Sequence, residues 1–251
     1  GYTTAIAGWY NPYCRILPQV LDHCYWTNHL PLLNEFVADK PLAYSLLDPM
    51  PSVLSVTCIF AHLAMCPSVN EERDTKLHAE DYRNIFAASD ALLVDPSVNF
   101  IFLHLPIPHP SGIYNRKTST FASANSSYID NLALADHYLT HVRQLLQQHN
   151  SWDSSTIVIM GDHSWRTKLV WASAPGWTSE DQAASNGVQF DDRPAYIVKL
   201  PQQQQPARFD APFDAIHTRA LLDAILRNQI SSPTELSTWA NHQAPAHTVS
   251  P

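Results

Sequence analysis

Residues 156–163, Thr156-Ile157-Val158-Ile159-Met160-Gly161-Asp162-His163, set a short apolar run directly before a glycine, a carboxylate and an imidazole. A run of that length closed by a turn residue reads as a buried β-strand. In open α/β sheets ligands bind at the carboxyl ends of the strands. Asp162 and His163 stand at such an end, and a carboxylate beside an imidazole suits Zn or Mn, with about two further ligands needed from elsewhere. The same pair also suits a purely structural role, Asp162 capping the following turn and His163 hydrogen-bonded beneath it.

Residues 98–105 (VNFIFLHL) repeat the arrangement: an apolar strand that delivers His104, then a proline-rich loop (PIPHPSGIYNR) that carries His109. Residues 1–8 (GYTTAIAG) read as a turn entering a strand, and residues 195–200 (AYIVKL) as another strand. Helical spacing of apolar residues runs through 77–93 and, most strongly, through 128–149, where Ile129, Leu132, Ala133, Ala135, Leu139, Val142, Leu145 and Leu146 share a stripe. A further helix is expected over 216–228, and residues 165–192 read as a long excursion. Alternating strands and helices predict an α/β layer fold. One domain over residues 1–240 is expected, followed by a solvated tail at 241–251.

Composition narrows the function classes. The chain has 251 residues, a net charge of −8 and 45% hydrophobic residues, which predicts a folded core and excludes the basic footprint that nucleic-acid binding requires. The most apolar stretch, residues 53–66, is too short to span a bilayer. The 13 histidines show no repeating spacing and read as scattered. Four cysteines, paired by proximity as Cys14 with Cys24 and Cys58 with Cys66, suit an oxidising compartment; reduced core thiols are the equal alternative. Gly-x-Ser-x-Gly, His-Glu-x-x-His and glycine-rich phosphate loops do not occur in the sequence.

Taken together, GYTTAIAG, FLHLPIPHPSG, SYIDNLALADHYL, IVIMGDHSWR, and RPAYIVKLP with the helix expected from Phe213 to Leu226 resemble, in order, segments of the alkaline phosphatase superfamily on the sulfatase and phosphoethanolamine-transferase side. The likeness runs from Gly1 to about Trp239. It implies an α/β fold with a mixed, mostly parallel sheet flanked by helices on both faces, here N-terminally incomplete. It implies a metal-dependent hydrolase or transferase acting on an anionic phosphate or sulfate ester. Asp162 and His163 would be metal ligands, His109 and less directly His104 the catalytic imidazoles, and Arg166 and Arg15 the cations that meet the ester's charge. Arg166 reads equally as a surface cation, and His104 as a core residue. The setting implied is extracytoplasmic, periplasmic or secreted, with room for a membrane anchor before Gly1.

Departures from the pattern shape the expectation. Gly8 is followed by Trp9-Tyr10-Asn11 where sulfatases have Lys-Trp-His, and Asp162-His163 stands where many have Asp-Asn. Imidazole in place of an amide shifts the metal preference from Ca²⁺ toward Zn²⁺ or Mn²⁺. The family's nucleophile and first-strand carboxylate lie upstream of the GYTT-type segment. This chain is therefore expected to be a fragment with little turnover of its own, prone to self-association through an open sheet edge. Two other readings stand beside the enzyme: an inactive module of the same fold that binds an anionic glycan or lipid head group, and an unrelated hydrolase built on His104 and His109.

Overall fold

Strand β1 (Thr4–Trp9) contains the buried apolar residues Ala5, Ile6, Ala7 and Trp9. A strand buried on both faces belongs inside a parallel sheet, and β1 is the middle strand of one. The computed structural model describes residues 1–27, 68–109, 112–122, 126–163, 177–186, 193–210 and 213–243. They group into two compact units: Gly1–Leu145 with Arg166–Phe190, and Leu146–Trp165 with Asp191–Pro251.

In the first unit, β1 pairs in parallel with β2 (His23–Thr27) on one side and β3 (Phe100–His104) on the other. Side chains alternate between the two faces of each strand. One face presents Ala7, Trp9, Tyr25 and Leu103, which pack with Ile85, Ala88 and Leu92 of the long helix α2 (Ser68–Leu93). The opposite face presents Ile6, Gly8, Cys24, Phe102 and His104. The single-turn helix α1 (Tyr13–Ile16) is pinned there by a disulfide between Cys14 and Cys24. A hairpin of β4 (Tyr114–Asn115) and β5 (Thr120–Phe121) follows, then helix α3 (Tyr128–Gln148). Ser127 and Asp130 cap α3 reciprocally, the Asp130 amide donating to Ser127 Oγ and the Ser127 amide to Asp130 Oδ2. A core of Ala79, Tyr82, Ile107, Ile113, Tyr114 and Leu134 joins α2, α3 and the connection after β3. Helix α4 (Ser179–Ala184) completes this unit; Thr178 and Asp181 form its capping box, and buried Asp181 also accepts the Ile129 amide of α3.

The second unit is built on β6 (Ile157–Met160), paired antiparallel with β7 (Tyr196–Lys199). A 3₁₀ turn at Ala215–His217 leads into α5 (Thr218–Leu226), and α6 (Pro233–Asn241) starts with proline and a Ser232–Glu235 capping box. Leu200, Leu221, Ala224 and Ile230 form its core, with Val198, Leu236 and Trp239 packed around them.

The architecture is therefore mixed α/β with a parallel sheet. One large, mostly parallel sheet is not what the described residues form: there are three sheets, one parallel with three strands and two antiparallel with two. The reason is local to β6, which takes its hydrogen bonds from the returning strand β7 and runs opposite to it. Expected burial is corrected in the same way. Phe102 on the edge strand β3, and Met160 and Ile197 on the β6–β7 ladder, are exposed, as edge strands and small antiparallel ladders permit. Of the residues 165–192 expected to form an excursion, 177–186 include α4, and the rest lie outside the described residues, as do residues 244–251 of the expected tail. No helix among the described residues is long and apolar enough to cross a membrane.

Candidate functional site

Three histidines meet one indole at the carboxyl end of the parallel sheet. Trp9 closes β1, and its ring stacks on the His78 imidazole, 5.5 Å between centroids and 6° between planes. His109 lies edge-on to the same indole at 5.0 Å and His104 at 6.3 Å, with His78 and His109 themselves 6.1 Å apart. His104 ends β3 and His109 sits in the loop that follows, so both come from the segment singled out in the sequence.

The cluster is held from behind by α2. Asp81 is fully buried and accepts hydrogen bonds from Trp9 Nε1, at 2.8 Å, and from the Thr27 hydroxyl at the end of β2. One carboxyl group thus ties the carboxyl ends of β1 and β2 to the helix. His78, three residues earlier on α2, is also buried, and its Nε2 lies 2.6 Å from the Pro106 carbonyl oxygen. A carbonyl only accepts, so Nε2 carries the proton in that bond. The loop itself is clamped from α3: the fully buried Asn131 donates from Nδ2 to the His109 carbonyl at 3.1 Å and accepts the Ile113 amide at 2.9 Å. The peptide bond between Ile107 and Pro108, within this loop, is cis.

His104 has a second anchor. Its Nδ1 lies 2.9 Å from the Tyr13 hydroxyl, which in turn accepts from Asn11 Nδ2 at 3.1 Å. Arg15 is exposed in the last turn of α1, two residues from Tyr13. Arg166 lies outside the described residues.

Asp162 and His163 follow β6 in the second unit, where Gly161 donates its amide to the Ala195 carbonyl. Their side chains are 80% and 45% exposed, with His163 Nε2 3.8 Å from Asp162 Oδ1. They offer two donors of the right chemistry for Zn or Mn. Among the described residues no group of three or more His, Cys, Asp or Glu side chains is placed to hold a metal. Asp162 and His163 are two of the roughly four ligands that such a site takes.

The sequence pattern pointed to His104 and His109 and overlooked His78, Asp81, Asn131 and Tyr13. For three of them a signal existed. His78 and Asp81 fall on the stripe of α2 that also carries Ile85 and Ser89, all buried, so polar residues occupy inward positions. Asn131 likewise falls between Ser127 and Leu134 on the buried side of α3. Comparison of the chain with protein-family models, with curated proteins and with solved structures found no match in any of the three.

Proposed function

We propose that this chain is part of a metal-dependent phosphoric- or sulfuric-ester hydrolase or transferase of the alkaline phosphatase superfamily, and that the imidazoles at the carboxyl edge of β1 and β3 contact the anionic group of the ester. One observation carries the reading. His109 and His104, the residues that the family resemblance assigns to the ester, converge on a single indole at the edge where α/β sheets bind ligands. Imidazole N–H groups donate to phosphate or sulfate oxygens, and His78, Asp81 and Asn131 hold them in place before any ligand arrives, which is how a binding site limits its reorganisation cost. Asp162 and His163 take the role of divalent-metal ligands in this reading. The Cys14–Cys24 disulfide supports an oxidising, extracytoplasmic compartment.

The test is a titration of inorganic phosphate and of sulfate into the purified chain, followed by the side-chain resonances of its histidines. The expected result is a saturable shift of His104 and His109, with His109→Ala weakening binding about tenfold, the usual scale of one charge-assisted hydrogen bond. Whichever anion binds more tightly names the ester class. Two anions that leave both resonances unmoved overturn the reading. Binding without turnover of aryl phosphates or sulfates in the presence of Mn²⁺ or Zn²⁺ moves it to a binding module of the same fold.

A further inference from the structure

We propose that Tyr13 is a positioning residue for His104: the chain Asn11 to Tyr13 to His104 fixes the imidazole as the tautomer whose proton sits on Nε2, and so makes His104 a hydrogen-bond donor through that nitrogen. The inference deepens the preceding proposal, on which its anion-binding arm rests. The direction of the chain follows from its first member. Asn11 Nδ2 has only hydrogens to offer, so at 3.1 Å it donates to the Tyr13 oxygen. That oxygen, having accepted, directs its own hydrogen at His104 Nδ1, 2.9 Å away. An imidazole nitrogen that accepts a hydrogen bond keeps its lone pair, and the neutral ring then carries its proton on the other nitrogen. A neutral histidine in that state is a donor at Nε2 for a phosphate or sulfate oxygen.

The surrounding fold is built to keep the phenol there. Gly8 is the register partner of His104 in the β1–β3 ladder. A Cβ at Gly8 would lie 2.5 Å from both Cδ2 and Cε2 of Tyr13, so the bare backbone at this position is what lets the ring lie against the sheet. Phe102, two residues before His104 and on the same face, meets the Tyr13 ring edge-on at 5.8 Å. The next residue of α1, Cys14, is bonded to Cys24 of β2 on that same face. Backbone, aromatic edge and covalent link therefore place one hydroxyl against one nitrogen.

The experiment labels the whole chain with ¹⁵N-histidine and reads the two-bond proton–nitrogen correlations at alkaline pH, where imidazoles are neutral; His104→Gln identifies the signal. The expected result is a single Nε2–H tautomer for His104. Tyr13→Phe, which keeps the ring and removes the hydroxyl, should turn it into a mixture of both tautomers while the backbone amide spectrum of β1 to β3 stays in place. Asn11→Ala should move it part of the way. An Nδ1–H tautomer in the parent chain, or an unchanged population in Tyr13→Phe, overturns the proposal. In the second arm, inorganic phosphate should bind Tyr13→Phe more weakly than the parent chain in proportion to the Nε2–H population lost, about twofold for an even mixture. Equal binding by both, with the tautomer shifted, also overturns it. Phosphate that binds neither chain refutes the ester-site reading and leaves the tautomer result to judge Tyr13 by itself.

Discussion

At the end of β3, His104 is hydrogen-bonded to Tyr13 and set edge-on to an indole that a buried carboxyl group holds from behind. At the end of β6, Asp162 is 80% exposed and 3.8 Å from His163. In the sequence the two strand ends look alike, each a few apolar residues followed by groups able to ligate or donate. In the structure they differ because α2 brings Asp81 and His78 to the first, whereas the second follows a two-stranded ladder with Met160 and Ile197 exposed. A strand end thus tells where polar groups are delivered, and the element packed beside it tells whether they are prepared.

The largest expected effect separates the two directly. Asp81→Ala leaves Trp9 Nε1 and the Thr27 hydroxyl without their acceptor in a buried setting, and should cost about 3–5 kcal/mol. Asp162→Ala should cost less than about 0.5 kcal/mol, as an exposed surface substitution does. Hydrogen exchange of the β1 and β6 amides in urea measures each in its own unit. Equal losses would erase the distinction.

Next comes the disulfide. Cys14 and Cys24 are ten residues apart, and a link closing such a loop lends about 3 kcal/mol through the entropy of the unfolded chain. Replacing both by serine should lower protection of β1 and β2 by about that amount and leave β6 and β7 as they are. A matching loss in β6 would show that the units do not unfold independently.

Two smaller effects follow from titration. Burial pushes the Tyr128 and Tyr138 phenols up to about 12, and Tyr138 also donates to Ser89 Oγ at 2.9 Å. Raised folded values mean that their stabilisation is whole below pH 10, where the unfolded phenols begin to ionise, and is lost as pH climbs from 10 to 12. The first unit should therefore soften in that window, read by absorbance at 295 nm beside amide exchange. Tyr138→Phe should reduce that alkaline loss and cost about 1 kcal/mol at neutral pH. Smallest is Asp22, whose carboxyl is held below the usual range chiefly by the Thr4 amide at 2.8 Å. A depressed value lends stability above about pH 4 that disappears as pH falls further. Asp22→Asn, a stand-in for the protonated form, should flatten the acid limb of the β1–β2 pair by slightly lowering its neutral stability while leaving its stability in acid as it was.

Much of the element pattern was legible. The helix expected over 77–93 is the C-terminal part of α2, the one expected over 128–149 ends one residue later than α3, and the strands around 98–105, 156–160 and 195–200 are β3, β6 and β7. Strand β2 was not legible. His23-Cys24-Tyr25-Trp26-Thr27 has no apolar alternation of its own, and pairing with β1 makes it a strand. The same holds for β4 and β5, two residues each, which exist through their register. His104 and His109 were legible because the carboxyl end of an apolar strand delivers polar residues to the edge where α/β sheets bind ligands. His78 and Asp81 were hidden by the helix pattern around them, since apolar periodicity counts Tyr82 and Ile85 and passes over the polar residues on the same stripe.

The place of β1 in the sheet also fixes the order in which it can be finished. Its two hydrogen-bonding edges wait for very different lengths of chain: Thr4 meets Asp22 across 18 residues, while Thr3 meets Asn99 across 96. During synthesis at about 5–20 residues per second, the residues of β2 follow β1 within seconds, whereas those of β3 arrive roughly 4–16 s later. The strand that anchors Trp9 therefore has one local edge, toward β2, and one long-range edge, toward β3. The histidine cluster can form only when β3, the last of the three parallel strands, arrives.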